Sequence, residues 1–346
     1  MSELFFFEAV KPILEEDFPS LIYSAGLIGP GSDVIDCDTE RSMDHDWGPR
    51  VILFLSEKDH KKHAKKISET LSKKLPPTYR GFSTHFETDG KVRVNTKGKE
   101  GDIAHKVEIG TINSFFYTYL YFNIQKKISN LDWLTFPEHK LLTIKKGKIF
   151  YDGLKLQKKL HQFNYYPQDV WMYLLASQWM RISQEESFMG RCGELGDEIG
   201  SKIIATRLLK EVMHLCFLME KHYTPYTKWF GTYFSRLKCS KFLSPLIKKI
   251  LSLNEWQERE KYFSKVYEYI AKVHNKLKIT PALDTNVMPF HDRPFLVLFS
   301  ERFAKNLQKE IKDKKLRELK LIGSINQFAD STDIFEGDTR IFQRIY

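Results

Sequence analysis

No uninterrupted apolar run in the chain approaches the length needed to cross a bilayer. Low-complexity segments and repeats at fixed spacing are also lacking, which excludes a repeat architecture. Cysteine is scarce. Cys37, Cys192, Cys216 and Cys239 lie far apart with no metal-type spacing, as expected of reduced thiols in a cytoplasmic protein. The opening stretch Met1-Ser2-Glu3-Leu4-Phe5-Phe6-Phe7-Glu8 has an apolar patch interrupted by acids, without a basic leader or cleavage site, so secretion is not expected. These absences predict a soluble cytoplasmic protein with no membrane partner.

What is present is ordinary globular material. The 346 residues are enough for two domains, and 42% hydrophobic with 28% charged residues describe a chain with ample core. The formal net charge of +10 favours polyanionic partners such as nucleotides or RNA, or else describes a lysine-coated surface. Nothing in the composition fixes the oligomeric state.

Taken in order, residues 3–16 have helical spacing and Leu21 to Ile28 reads as a strand. Residues 49–56 form a strand apolar on both faces, as in a central strand covered on both sides. Lys58 to Lys74 is a basic helix ended by Pro76-Pro77. Lys91–Asn95 and His105–Ile109 are strand candidates, and Ile112 to Asn123 reads as helix. Lys140 to Leu156 looks like a hairpin closed around Asp152-Gly153. After Pro167 the texture changes to helix-period segments: 169–188, 198–222, 227–237, 245–253, 255–277 and a last one over 295–313. Ser244-Pro245 and the 223–226 segment read as breaks between them. The expected class is therefore α+β: an α/β domain with a small mixed sheet over 1–160, then an all-α helical bundle over 161–346.

One stretch carries chemistry. Gly29-Pro30-Gly31-Ser32-Asp33 makes a turn, and twelve residues after Ser32 comes Asp44, followed by Asp46 directly before the apolar strand. Residues i and i+2 of an extended segment point the same way, so the two carboxylates project together. Side-by-side carboxylates are costly unless a cation lies between them. Hard oxygen ligands suit Mg²⁺, which takes one or two carboxylates and completes its shell with water and phosphate. The Gly-Ser turn offers backbone N–H groups to that phosphate. The stretch reads as a metal–nucleoside triphosphate site. Arg50 and Arg41 flank it, either to neutralise triphosphate charge or to pair with Asp33, Asp36 or Asp38. His45 and Trp47 alternate away from the aspartates, and His45 reads as a buried histidine more than a ligand.

Gly-Ser followed at this interval by Asp-x-Asp resembles the signature of the nucleotidyltransferase superfamily typified by DNA polymerase beta, kanamycin nucleotidyltransferase and the archaeal CCA-adding enzymes. The longer string through Arg41-Ser42-x-Asp44-His45-Asp46-Trp47-Gly48-Pro49-Arg50 resembles an uncharacterised bacterial family within it, known as a domain of unknown function. That likeness continues through Tyr166-Pro167-x-Asp169-Val170-Trp171, Gly190-Arg191, Tyr223-x-Pro225-Tyr226-x-Lys228-Trp229, Arg293-Pro294-Phe295 and Gly323-Ser324.

The resemblance implies two-metal nucleotidyl transfer, with Asp44 and Asp46 holding Mg²⁺ and Gly31 and Ser32 binding the β- and γ-phosphates. It implies a third acid on a later strand: Glu108 in Val107-Glu108-Ile109, with Asp102 as the competitor. In the aminoglycoside-modifying relatives a glutamate of the helical domain is general base. Here that points to Glu185, with Arg191 holding phosphate, or else to ordinary helix-end electrostatics. Asp197 and Glu198 read as helix-start acids. Lys228 either reaches the nucleotide while Trp229 stacks on a base, or is an exposed lysine beside a packed indole. Arg293 is a lesser candidate. The Gly323-Ser324 echo lacks a following Asp-x-Asp and is not a second site.

The expectation is an enzyme that moves a nucleoside monophosphate, AMP from ATP, onto a hydroxyl of a small molecule or RNA. Basic stretches at Lys58 to Lys74 and Lys238 to Lys249 favour an anionic acceptor, or are solvated helix faces. Rival expectations are a non-catalytic nucleotide- or RNA-binding sensor and a toxin-like enzyme modifying tRNA or protein.

Overall fold

The computed structural model describes residues 1–42, 47–89, 92–96 and 101–346. The chain groups into two units, one of residues 1–127 and 140–164, the other of residues 128–139 and 165–346. The segment 128–139 thus belongs with the later half of the chain, although 140–164 returns to the first.

The first unit is built on a four-stranded mixed sheet: β1 (Tyr23–Leu27), β2 (Arg50–Leu55), β3 (Lys106–Thr111) and β4 (Lys148–Asp152), in the order β3-β2-β1-β4. β1 runs antiparallel to both its neighbours, whereas β2 and β3 are parallel, pairing Arg50 with Lys106 and Ile52 with Glu108. Alternation gives the sheet two faces. Val51, Leu53 and Leu55, with Ala25 and Val107, face a core closed by Phe5, Val10 and Leu14 of the N-terminal helical segment and by Ile67 and Leu71. The last two belong to the helix Glu57–Lys74, capped by Ser56, whose hydroxyl accepts from the Asp59 N–H at 3.1 Å. Its lysines 58, 61, 62, 65 and 66 are exposed.

The hairpin expected over Lys140 to Leu156 does not form. Glu138–Lys146 is a helix with Leu141 and Ile144 buried, and β4 pairs instead with β1. Asp152 does not turn a hairpin. Its carboxylate accepts from Ser24 Oγ at 2.9 Å and from the Leu156 and Gln157 N–H groups, capping the short helix that follows. Gly153 lies against β1, where a Cβ would sit 2.5 Å from the Tyr23 carbonyl oxygen.

The second unit is helical, around Gln168–Glu185, Glu198–Met219, Ser240–Ser252, Trp256–Lys276 and Glu301–Glu310. Trp179 stacks on Phe303 with ring centroids 4.5 Å apart and donates its Nε1–H to His274 Nδ1 at 3.1 Å. Two expectations need correction here. Ser244-Pro245 is not a break: the helix starts at Ser240 and carries Pro245 in its second turn, where the missing N–H removes one bond without ending it. The helix expected from Phe295 starts only at Glu301, because Arg293–Val297 pairs antiparallel with Met288–Phe290. The second unit is therefore helical with one small ribbon, and not all-α. Among the described residues, no helix is long and apolar enough to cross a membrane.

Candidate functional site

The Gly-Ser turn follows β1 directly. Gly31 has φ +132°, and a Cβ there would lie 2.0 Å from Arg50 Nη2 and 2.5 Å from Asp33 Oδ1, so only glycine fits. Ser32 begins the short 3₁₀ turn Ser32–Ile35. Arg50, the first residue of β2, has a side chain only 6% exposed and donates from Nη2 to Asp33 Oδ1 at 2.6 Å. Its Nε is buried and has no partner among the described residues. Of the two roles expected for Arg50, the structure thus contains the pair to Asp33, which sets a guanidinium beside the turn.

Val107 faces the core, so Glu108 lies on the opposite face of the sheet, the face that Arg50 shares. The Glu108 side chain is exposed and makes no hydrogen bond or ion pair among the described residues. Asp102 is exposed in the bend before β3. Asp44, His45 and Asp46 lie outside the described residues. Among the described residues no group of three or more His, Cys, Asp or Glu could hold a metal. The described donor is a single open carboxylate, Glu108, whose oxygen chemistry fits Mg²⁺. Trp47 is buried with its ring centroid 4.8 Å from that of Phe82. Arg41 is exposed in the 3₁₀ turn Glu40–Ser42.

In the helical unit Glu185 ends its helix and pairs with Arg207 at 3.0 Å. Arg191 is exposed on the next helix with its guanidinium over the Phe188 ring. Lys228 is exposed with Nζ 5.4 Å from the Trp229 ring centroid. Arg293 is exposed at the start of the ribbon's second strand. Asp197 caps Glu198–Met219 by accepting from the Gly200 N–H at 2.8 Å. Glu198 goes beyond a helix-start acid: it pairs with the fully buried Arg259 and accepts from the Trp256 N–H. Ser324 starts a short helix, its N–H donating to Gln327 Oε1 at 2.9 Å and its carbonyl accepting from the Gln327 N–H at 2.8 Å.

The same unit holds a cavity of about 620 Å³ that includes none of the expected site residues. Arg181, Arg207, Lys210, Glu211 and His214 line it, together with residues 224–227, Phe230 and Gly231, and residues 326–330 with Phe335. Glu138 is fully buried beside it. One carboxylate oxygen accepts from His214 Nε2 at 3.1 Å, the other from the Thr224 N–H at 2.8 Å and Oγ1 at 2.7 Å. Burial pushes this carboxyl up, but the charge of His214 and the bonds from His214 and Thr224 outweigh it and hold the group below the usual carboxylate range. Arg181 grips Glu211 through Nε at 2.9 Å and Nη2 at 2.7 Å, a bidentate pair that also fixes Gln178.

Residues 133–230 match the family described as "Domain of unknown function (DUF4037)". The match includes His139, Arg181, Arg207, Lys210, Glu211, His214 and the 224–227 segment of the cavity, as well as Glu138. It does not reach the Gly31–Arg50 corner. No curated protein matches the chain at a significant level.

Sequence reasoning passed over this cavity, yet it left a trace. Arg207, Lys210, Glu211 and His214 follow the i, i+3, i+4, i+7 spacing of one helix face. A charged stripe on an otherwise apolar helix is the signal that marks it.

Proposed function

We propose that the chain is a Mg²⁺-dependent nucleotidyltransferase that moves a nucleoside monophosphate, AMP from ATP, onto an acceptor hydroxyl of a small molecule or RNA. The observation that supports this reading is the corner in which Gly31 packs on the buried Arg50 guanidinium while Glu108 stands open on the same sheet face. Gly31 and Ser32 present the backbone and hydroxyl groups that a triphosphate needs, with no side chain at Gly31 in the way. Arg50, pinned by Asp33, keeps a positive charge beside them. Glu108 supplies one carboxylate for the metal, and the sequence pair Asp44 and Asp46 the others. Bound Mg²⁺ supplies the charge that stabilises the entering and leaving oxygens of in-line displacement at the α-phosphate.

The test is incubation of the protein with Mg²⁺ and each labelled nucleoside triphosphate in a cell extract, beside the Asp44→Ala/Asp46→Ala variant. Label transferred by the natural chain and lost in the variant is expected. If RNA is the acceptor, ribonuclease releases the label. Transfer by both proteins equally, or by neither, overturns the reading.

A further inference from the structure

We propose that the cavity of the helical unit binds a small compound made of a planar ring, an anionic group and a hydroxyl, a carboxylate or phosphate serving as the anion. The inference does not rest on nucleotidyl transfer and needs neither metal nor nucleotide. The volume, about 620 Å³, lies in the range of small-molecule sites.

The anion is assigned to Arg207 and Lys210, one turn apart on Glu198–Met219. Their side chains are 55% and 51% exposed, and their partners are Glu185 at 3.0 Å, itself 19% exposed, and Asp330 at 2.9 Å, 78% exposed. A pair whose cation stands half in solvent is weak, so a ligand anion displaces it at little cost. Arg181 is different. Its two bonds to Glu211 leave it a fixed wall of the cavity.

The ring is assigned to the aromatic side. His139 holds Tyr226 and Phe335 edge-on, with centroids 5.9 and 6.1 Å from its own, and Phe230 stands in the same wall. Flat apolar faces in a cavity that also holds two half-exposed cations select a planar anion over an aliphatic one.

The hydroxyl is assigned to His214. Glu138 has no proton to give and spends both oxygens, so His214 Nε2 must be the donor of that pair. With Nε2 held by Glu138, Nδ1 is the ring nitrogen left for a ligand. A ring nitrogen fixed by a buried carboxylate in the wall of a cavity is suited to a ligand hydroxyl, and Glu138 is the positioning residue for it.

Isothermal titration calorimetry on the full chain, without Mg²⁺ or nucleotide, tests this with 4-hydroxybenzoate, benzoate, phenyl phosphate, benzyl alcohol and inorganic phosphate. Binding of the ring anions, and of neither benzyl alcohol nor inorganic phosphate, is expected; the relative strength of benzoate and phenyl phosphate identifies the anion. Arg207→Gln/Lys210→Gln should weaken the ring anions by roughly tenfold or more. His214→Asn should weaken 4-hydroxybenzoate more than benzoate, a difference that a merely structural role would not produce. The Arg207→Gln/Lys210→Gln variant, changed only at half-exposed side chains, should keep its helical circular dichroism. Asp44→Ala/Asp46→Ala should bind the probes normally, which separates this inference from the catalytic reading. Ring anions that fail to bind, or that bind Arg207→Gln/Lys210→Gln as tightly as the natural chain, overturn it.

Discussion

The corner at Gly31 and the cavity of the helical unit use charge in opposite ways. At the corner, the Arg50 side chain is taken almost wholly out of water, and among the described residues its ion-pair partner is Asp33. In the cavity, the cations Arg207 and Lys210 stand half in solvent beside Glu185 and Asp330. A buried pair fixes backbone, because losing one member leaves an uncompensated charge. A solvent-facing pair fixes little and leaves its cation ready for another anion. The helical unit also contains both kinds, since Glu138 and His214 form a buried pair beside the exposed ones.

The comparison is broken most severely at the buried pairs. Asp33→Ala should destabilise the chain by about 3–5 kcal/mol in urea unfolding, because the buried Arg50 loses the Asp33 carboxylate. If the loss is under about 1 kcal/mol, water reaches Arg50 and the corner is not rigid. Glu138→Gln should cost about 1–3 kcal/mol, since the amide still accepts from Thr224 but no longer pairs with His214 as a charge. Differential scanning fluorimetry reads that difference against the natural chain.

Two further buried groups sharpen the comparison through pH. Burial drives Glu186 up to about 7 although the N–H groups of Leu298 and Ser300 and the Ser300 hydroxyl donate to it. Burial drives His274 down to about 4. Between the ordinary carboxylate value and 7, Glu186 holds a proton that the unfolded chain has lost, so its contribution falls as pH rises through that window. His274 works the other way: from about 6.5 down to 4 the unfolded chain takes up a proton that the native imidazole refuses, so stability falls with pH. Each slope approaches about 1.4 kcal/mol per pH unit, and they oppose one another where they overlap. Glu186→Gln should gain on the natural chain as pH is raised from 5 to 7, and His274→Asn as it is lowered from 6.5 to 4. Parallel stability curves for variant and natural chain would show that the group titrates alike in both states. The smallest effect is at the surface: Arg207→Gln alone should change stability by less than about 1 kcal/mol.

The legible parts of the molecule are those written in neighbouring residues. The strands at 23–27 and 50–55 and the helix at 57–74 follow from local periodicity and capping, and the Gly31 turn from its own residues. Leu141-Leu142-x-Ile144 was ambiguous between strand and helix because its apolar run is short, and packing decided for helix. Pro245 misled because a proline ends a helix less surely in its opening turns. The cavity was hidden for a different reason. His139, Arg181, His214, Tyr226 and Phe335 meet only through tertiary packing, and no local rule joins residues so far apart. Glu138 gave no sign at all. An isolated glutamate after a proline looks like a helix-start acid, and its burial depends on His214 and Thr224, distant in sequence.

The division of the chain also has a consequence during synthesis. Residues 128–139 leave the ribosome before β4, yet their partners in the helical unit, such as Asp313 for Asn130 and Asn326 for Glu138, come almost two hundred residues later. At elongation rates of about 5–20 residues per second, that segment waits on the order of ten seconds or more before it can be completed. Meanwhile β4 has already emerged to close the sheet. A shortened gene ending near residue 160 would therefore encode every strand of the sheet together with an orphaned stretch bearing Trp133, Leu134 and Phe136, apolar side chains that the whole protein buries.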